Sequence, residues 1–164
     1  MNDQIKDVKP GLFLVMLTLI FGISLGVCFG VAEDSVKSFI SEGVVAHPSV
    51  HDAQSNSKIW RYAQRSHFHA TGISAFSIGL VLLIIVSSLE RKLKTVSSVL
   101  VGLGGLYPLS WFVMFLLAPS LGRNAAHHHI LTEVLTYVGV GSLLSGIVLV
   151  CANLFFDRFQ ETNE

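Results

Sequence analysis

Residues 11–31 run for 21 positions without an Asp, Glu, Lys, Arg or His. A helix needs about 20 apolar residues to cross a hydrocarbon core ~30 Å thick, at a rise of ~1.5 Å per residue. Three further stretches meet the same requirement: residues 67–89, 96–118 and 130–156. Among these four, Glu133 is the one Asp, Glu, Lys or Arg. Helices satisfy their own backbone hydrogen bonds, which lipid cannot do. The chain is therefore predicted to be an all-α integral membrane protein, with residues 1–164 forming a single domain of four transmembrane helices.

Composition agrees. Charged residues make up 13% of the chain and hydrophobic residues 51%, where a soluble domain carries roughly a quarter charged residues. That excludes a disordered chain and a disulfide-stapled miniprotein. Eleven basic residues balance eleven acidic ones, so no basic field is present to hold nucleic acid. The expected partners are the bilayer, and other membrane subunits or further copies of this chain.

The first run resembles a signal peptide, with Lys6 and Lys9 ahead of it and Gly30-Val31-Ala32 behind. It exceeds the usual apolar region of such a peptide, so it is read as a retained span. Residues 32–66 are read as a long extramembrane loop with a short amphipathic helix, because Val36, Phe39, Ile40 and Val44 recur at helical spacing. A further helix is expected to begin near Lys58 and enter the second span, with Trp60 and Tyr62 at headgroup level. Pro108 should kink the third span and Pro119 should close it. Asn124 is the expected cap of the fourth.

Four spans place both termini and the 90–95 turn on one side. Arg91, Lys92 and Lys94 crowd that short turn. The positive-inside rule then puts the termini in the cytoplasm of an inner or plasma membrane. All seven histidines fall on the other, outer side: His47 and His51 in the loop, His67 and His69 at the start of span two, and His127, His128 and His129 before span four. His47 and His51 are read as loop residues that can also swing over the outer site. Each of the other two groups is followed ten residues later by a glycine, Gly79 or Gly139, as in two duplicated hairpins.

His129 and Glu133 lie four apart and share a helix face. Imidazole and carboxylate at that spacing suit a divalent metal, and an ionisable group inside a span marks a functional position. Bis-histidine haem in membrane bundles uses similar ligands. The predicted ligand set is His67, His69, His127, His128, His129 and Glu133, for copper, iron, zinc or haem b. Arg61 and Arg65 are expected to meet cofactor carboxylates or lipid phosphates. Trp111 and Phe112 are read as packing bulk.

Gly22, Gly26 and Gly30 form a small-residue stripe for close helix contact, and Gly141, Ser142, Ser145 and Gly146 form a second. The function expected from these features is a metal- or haem-binding accessory or electron-transfer subunit of a membrane redox complex. Two alternatives stand beside it: a structural subunit without chemistry, in which Glu133 pairs with a neighbour such as Arg123, and a small metal-ion or proton transporter. No nucleophile elbow, phosphate loop or Cys-x-x-Cys is present.

Overall fold

The computed structural model describes residues 2–160, with side chains from residue 5 onward. Seven helices follow in order: α1 Asn2–Val31, α2 Glu33–Ala46, α3 Ser55–Val86, α4 Arg91–Leu103, α5 Leu106–Leu121, α6 Arg123–His127 and α7 Ile130–Phe156. Four segments are long and apolar enough to cross a membrane: Ile5–Val31, Ser55–Val86, Arg91–Leu121 and Ile130–Phe156. The described residues are helical apart from turns and one isolated antiparallel bridge, Leu89 to Gln160.

The long loop expected over residues 32–66 is not what forms. Helix α2 starts two residues after α1 ends, and α3 starts at Ser55. Between them lie a single turn of 3-10 helix, Pro48–Val50, and a few irregular residues. The physical reason is the apolar face of α2. Ile40 is buried, and Val36 and Val44 pack with it against Ile59, Ala63, Phe115 and Ala118 of α3 and α5. At ~1.5 Å per residue α3 spans about 48 Å, more than a ~30 Å core. Along the helix His67 lies about 28 Å and His69 about 26 Å from Val86.

The third span is the hub, in contact with the other three. Its most apolar window is 44% buried, against 17% for α7. It is also broken. Pro108 has no amide hydrogen for the Gly104 carbonyl, and its ring crowds that carbonyl. Gly104 accepts from Tyr107 instead at 3.1 Å, and the Gly104 and Gly105 amides close three-residue turns onto Val101 and Gly102 at 3.1 Å each. The expected kink thus falls one turn before the proline. Pro119 does not end the span: α5 continues to Leu121 and stops at Gly122, whose φ of 79° suits glycine.

Missing side chains bring the helices together. A Cβ on Gly105 would lie 1.9 Å from Thr18 Oγ1, and one on Gly11 would lie 2.1 Å from the Ser98 carbonyl carbon. On the other side of the hub, a Cβ on Gly139 would lie 2.5 Å from the Tyr107 amide nitrogen. In the first-span stripe, Gly22 faces Thr71 and Ala70, and Gly26 faces the His67 ring, whereas Gly30 meets nothing within 4 Å. Of the second stripe, Gly146 packs on Val101 and Leu100, while Gly141 is open.

The two ends are tied differently. At the end holding the described N- and C-terminal residues, Val8, Val15, Val81, Ile84, Val101 and Val150 form one apolar cluster. Arg91 pairs with Asp7 at 3.3 Å, and the buried Lys94 donates to the Ile85 carbonyl at 3.1 Å. At the opposite end, Arg123 pairs with Asp52 at 2.6 Å and His51 Nε2 donates to the Pro119 carbonyl at 2.9 Å. His51 is therefore pinned to α5.

Candidate functional site: two clefts beside one helix

The residues around His67 and His69 divide between two faces of α3. Residues two apart on a helix point about 200° apart, and the two rings part accordingly. His67 turns toward α1, where its Nδ1 lies 2.8 Å from the Gly22 carbonyl oxygen. A carbonyl only accepts, so Nδ1 carries the proton and Nε2 holds the lone pair. Nε2 carries no hydrogen bond and is not among the buried unpaired atoms. The residue lines a cleft of about 320 Å³ with Phe29, Glu33, Trp60, Gln64 and Phe68 in its walls. Gly26 makes the seat for the imidazole, since a Cβ there would lie 2.6 Å from His67 Cε1. Phe29 meets Trp60 edge-on at 5.4 Å.

Lys37 of α2 stands 5.5 Å above the Trp60 ring and bonds to Glu33 one turn before it. The Glu33 hydrogen bond, with slight burial opposing it, lifts the Lys37 ammonium above its ordinary value and keeps it charged. A cation therefore adjoins the wall of the His67 cleft.

His69 turns the other way. Its ring lies 5.0 Å from Tyr107 and stacks on Trp111 at 5.9 Å. Arg65, one turn earlier on α3, places its guanidinium 4.7 Å from the centre of the same indole, a cation–π arrangement. Arg65 is thus engaged with Trp111, while Arg61 is exposed. Beyond Trp111 lies a second cleft of about 230 Å³ between α5 and the start of α7, bordered by Tyr107, Trp111, His127, His128, Glu133 and Tyr137 among others.

At the mouth of that second cleft the pairing differs from the one expected. Glu133 bonds to His128, with Nδ1 to Oε1 at 3.2 Å, and not to His129. His129 lies outside α7 and serves as its N-cap: its Nδ1 accepts from the Leu131 amide at 3.3 Å. The fourth span therefore needs no cap from Asn124, which lies in the first turn of the separate short helix α6. Arg123, the other partner considered for Glu133, is occupied by Asp52. His127 sits beside His128, ring centres 4.9 Å apart.

The rings predicted to share one metal are thus spread over three settings: His67 against α1, His69 against Trp111, and His127 to His129 around the α6–α7 corner. Among the described residues no three His, Cys, Asp or Glu groups come together to hold a metal ion. The aromatic residues were the part that sequence reasoning missed. Trp111 is no mere bulk, since it separates His69 from the second cleft and carries Arg65. The spacing of Tyr107 and Trp111, four apart on one helix face, was the available signal.

The chain matches no known family, no curated protein sequence and no solved structure.

Proposed function

We propose that this protein is a membrane-embedded haem-binding subunit of a larger membrane redox assembly, with His67 supplying an axial imidazole. The observation that carries the reading is the 2.8 Å bond from His67 Nδ1 to the Gly22 carbonyl. A ligating histidine characteristically has its second nitrogen held by a carbonyl or carboxylate, which sets the tautomer and aims the first. His67 has that arrangement, and the residue lines a cleft walled by Phe29, Trp60 and Phe68.

Haem also answers the lack of a three-donor cluster. The macrocycle brings four nitrogens of its own, so one or two protein imidazoles suffice, whereas a bare copper or zinc ion needs three or four protein donors. When bound, it would supply a one-electron couple. Phe29, Trp60 and Phe68 would offer apolar and ring contacts, and Lys37 and Arg61 would meet carboxylates toward the water. A tetrapyrrole exceeds the cleft, and a neighbouring subunit would cover the remainder; this is why the reading places the chain in an assembly. The basic 90–95 turn supports the termini in the cytoplasm and the histidine end outside.

The test is an absorption spectrum on protein purified inside its native membrane assembly. A Soret band is expected, lost in His67→Ala and kept in His129→Ala, whose ring only caps a helix. If the native assembly shows no such band, or His67→Ala retains it, His67 is interhelical glue and the chain is a structural subunit.

A further inference from the structure

The second cleft has chemistry of its own, and it stands apart from the haem reading. Its unused polar groups are specific. The Glu133 carboxylate fixes the His128 proton on Nδ1, leaving Nε2 as an acceptor. The second oxygen of Glu133 is a further acceptor. Thr132 and Thr136 are already spent on the Ala126 and Thr132 carbonyls, at 2.8 Å each. On the opposite wall, the Trp111 indole N–H is buried without an acceptor. A buried, unmatched donor is costly and calls for a partner.

The cleft is thus lined by the Glu133–His128 pair from α7 and its approach, by Trp111 of α5 with its unmatched indole N–H, and by the rings of Tyr107 and Tyr137. Its volume, about 230 Å³, equals roughly eight waters at ~30 Å³ each, room for a substituted six-membered ring. The side toward the bilayer is apolar and open: Tyr137 is 73% exposed, and Val134 and Val138 flank it.

We infer that this cleft binds the head of a hydroquinone-class molecule, an aromatic diol on a hydrocarbon tail. One hydroxyl donates to His128 Nε2 or Glu133, the other oxygen accepts from Trp111, and the tail leaves past Tyr137 into lipid. A ring without hydroxyls leaves both acceptors unmatched. A fatty acyl chain has no use for them either.

The experiment measures binding of a short-chain 1,4-benzoquinol, kept reduced, to the full chain in lipid nanodiscs by isothermal titration. Saturable binding is expected, weakened at least tenfold in Glu133→Gln and several-fold in Trp111→Phe. The 1,4-dimethoxy analogue, which lacks donors, should bind at least tenfold more weakly than the diol. Thr136→Leu, which fills the cleft without touching the Glu133–His128 pair, provides a second variant should Glu133→Gln misfold, and it should also abolish saturation. Uptake that never saturates, or equal affinity for diol and dimethoxy compound, overturns the proposal. His67→Ala leaves this binding unchanged, so loss of the Soret band and loss of quinol binding report on different sites.

Discussion

Helix α3 and the approach to α7 carry the same sequence device, histidines followed ten residues later by a glycine, yet the two copies do different work. In α3 the His67 proton goes to a backbone carbonyl of α1. Near α7 the His128 proton goes to the Glu133 carboxylate. The glycines diverge further. A side chain on Gly79 would enter open space, whereas one on Gly139 would run into the α5 backbone at Tyr107. A repeated pattern along the chain is therefore no guarantee of a repeated site, because each copy takes its role from the helix that packs against it.

That contrast can be broken most directly at the glycines. Gly139→Leu should lower stability by about 1–3 kcal/mol, the usual cost of overpacking a close contact, and should lower the melting temperature in detergent. Gly79→Leu should leave it within ~0.5 kcal/mol, as a substitution away from any contact does. Equal losses for the two would mean that α5 and α7 are not in backbone contact.

The histidines give a smaller difference. His67→Ala removes a hydrogen bond between helices, a kind of contact worth on average ~0.6 and at most ~1.7 kcal/mol in a membrane bundle. His129→Ala removes a cap, typically worth ~1 kcal/mol, and its effect should fall on amide exchange at the start of α7. The α1–α3 contact should be untouched. Protection patterns that fail to separate in this way would contradict the division of the two rings.

The smallest effect is a pH response at the histidine end. Asp52 lies outside the spans, and burial tends to raise its carboxyl. The Gln54 amide, the Ser55 hydroxyl and the charges of Arg123 and Lys58 outweigh that and hold it below the usual carboxylate value. A depressed pKa stabilises the fold above the unfolded value, about 4, and that contribution fades as pH falls through the lower folded value. Hydrogen exchange across residues 48–55 should accelerate below about pH 4, and Asp52→Asn should flatten that dependence.

Much of the architecture was legible from the chain alone. The four apolar runs specify four helices long and apolar enough to cross a membrane, because lipid penalises any unpaired backbone group, whatever the packing. Pro108 announced a break, since no arrangement of neighbours restores its missing amide hydrogen. The α2 face, Val36, Ile40 and Val44, announced an amphipathic helix. Its docking onto α3 and α5 was not legible, because periodicity shows that a face is apolar and not what covers it. The pairing of Glu133 was misread for a related reason. A spacing of four assumes that both residues lie on one helix, and His129 lies just before α7 begins.

What the sequence by itself determined is therefore the four segments long and apolar enough to cross a membrane, and the break in the third. Each follows from solvation or covalent geometry acting within a short stretch of chain. Only the tertiary structure decided which ring nitrogen is spent, and that Trp111 stacks on His69 while lining the second cleft. Those outcomes depend on partners 45 residues away for His67 and Gly22, or on a helix end shifted by one residue, and no local pattern encodes them.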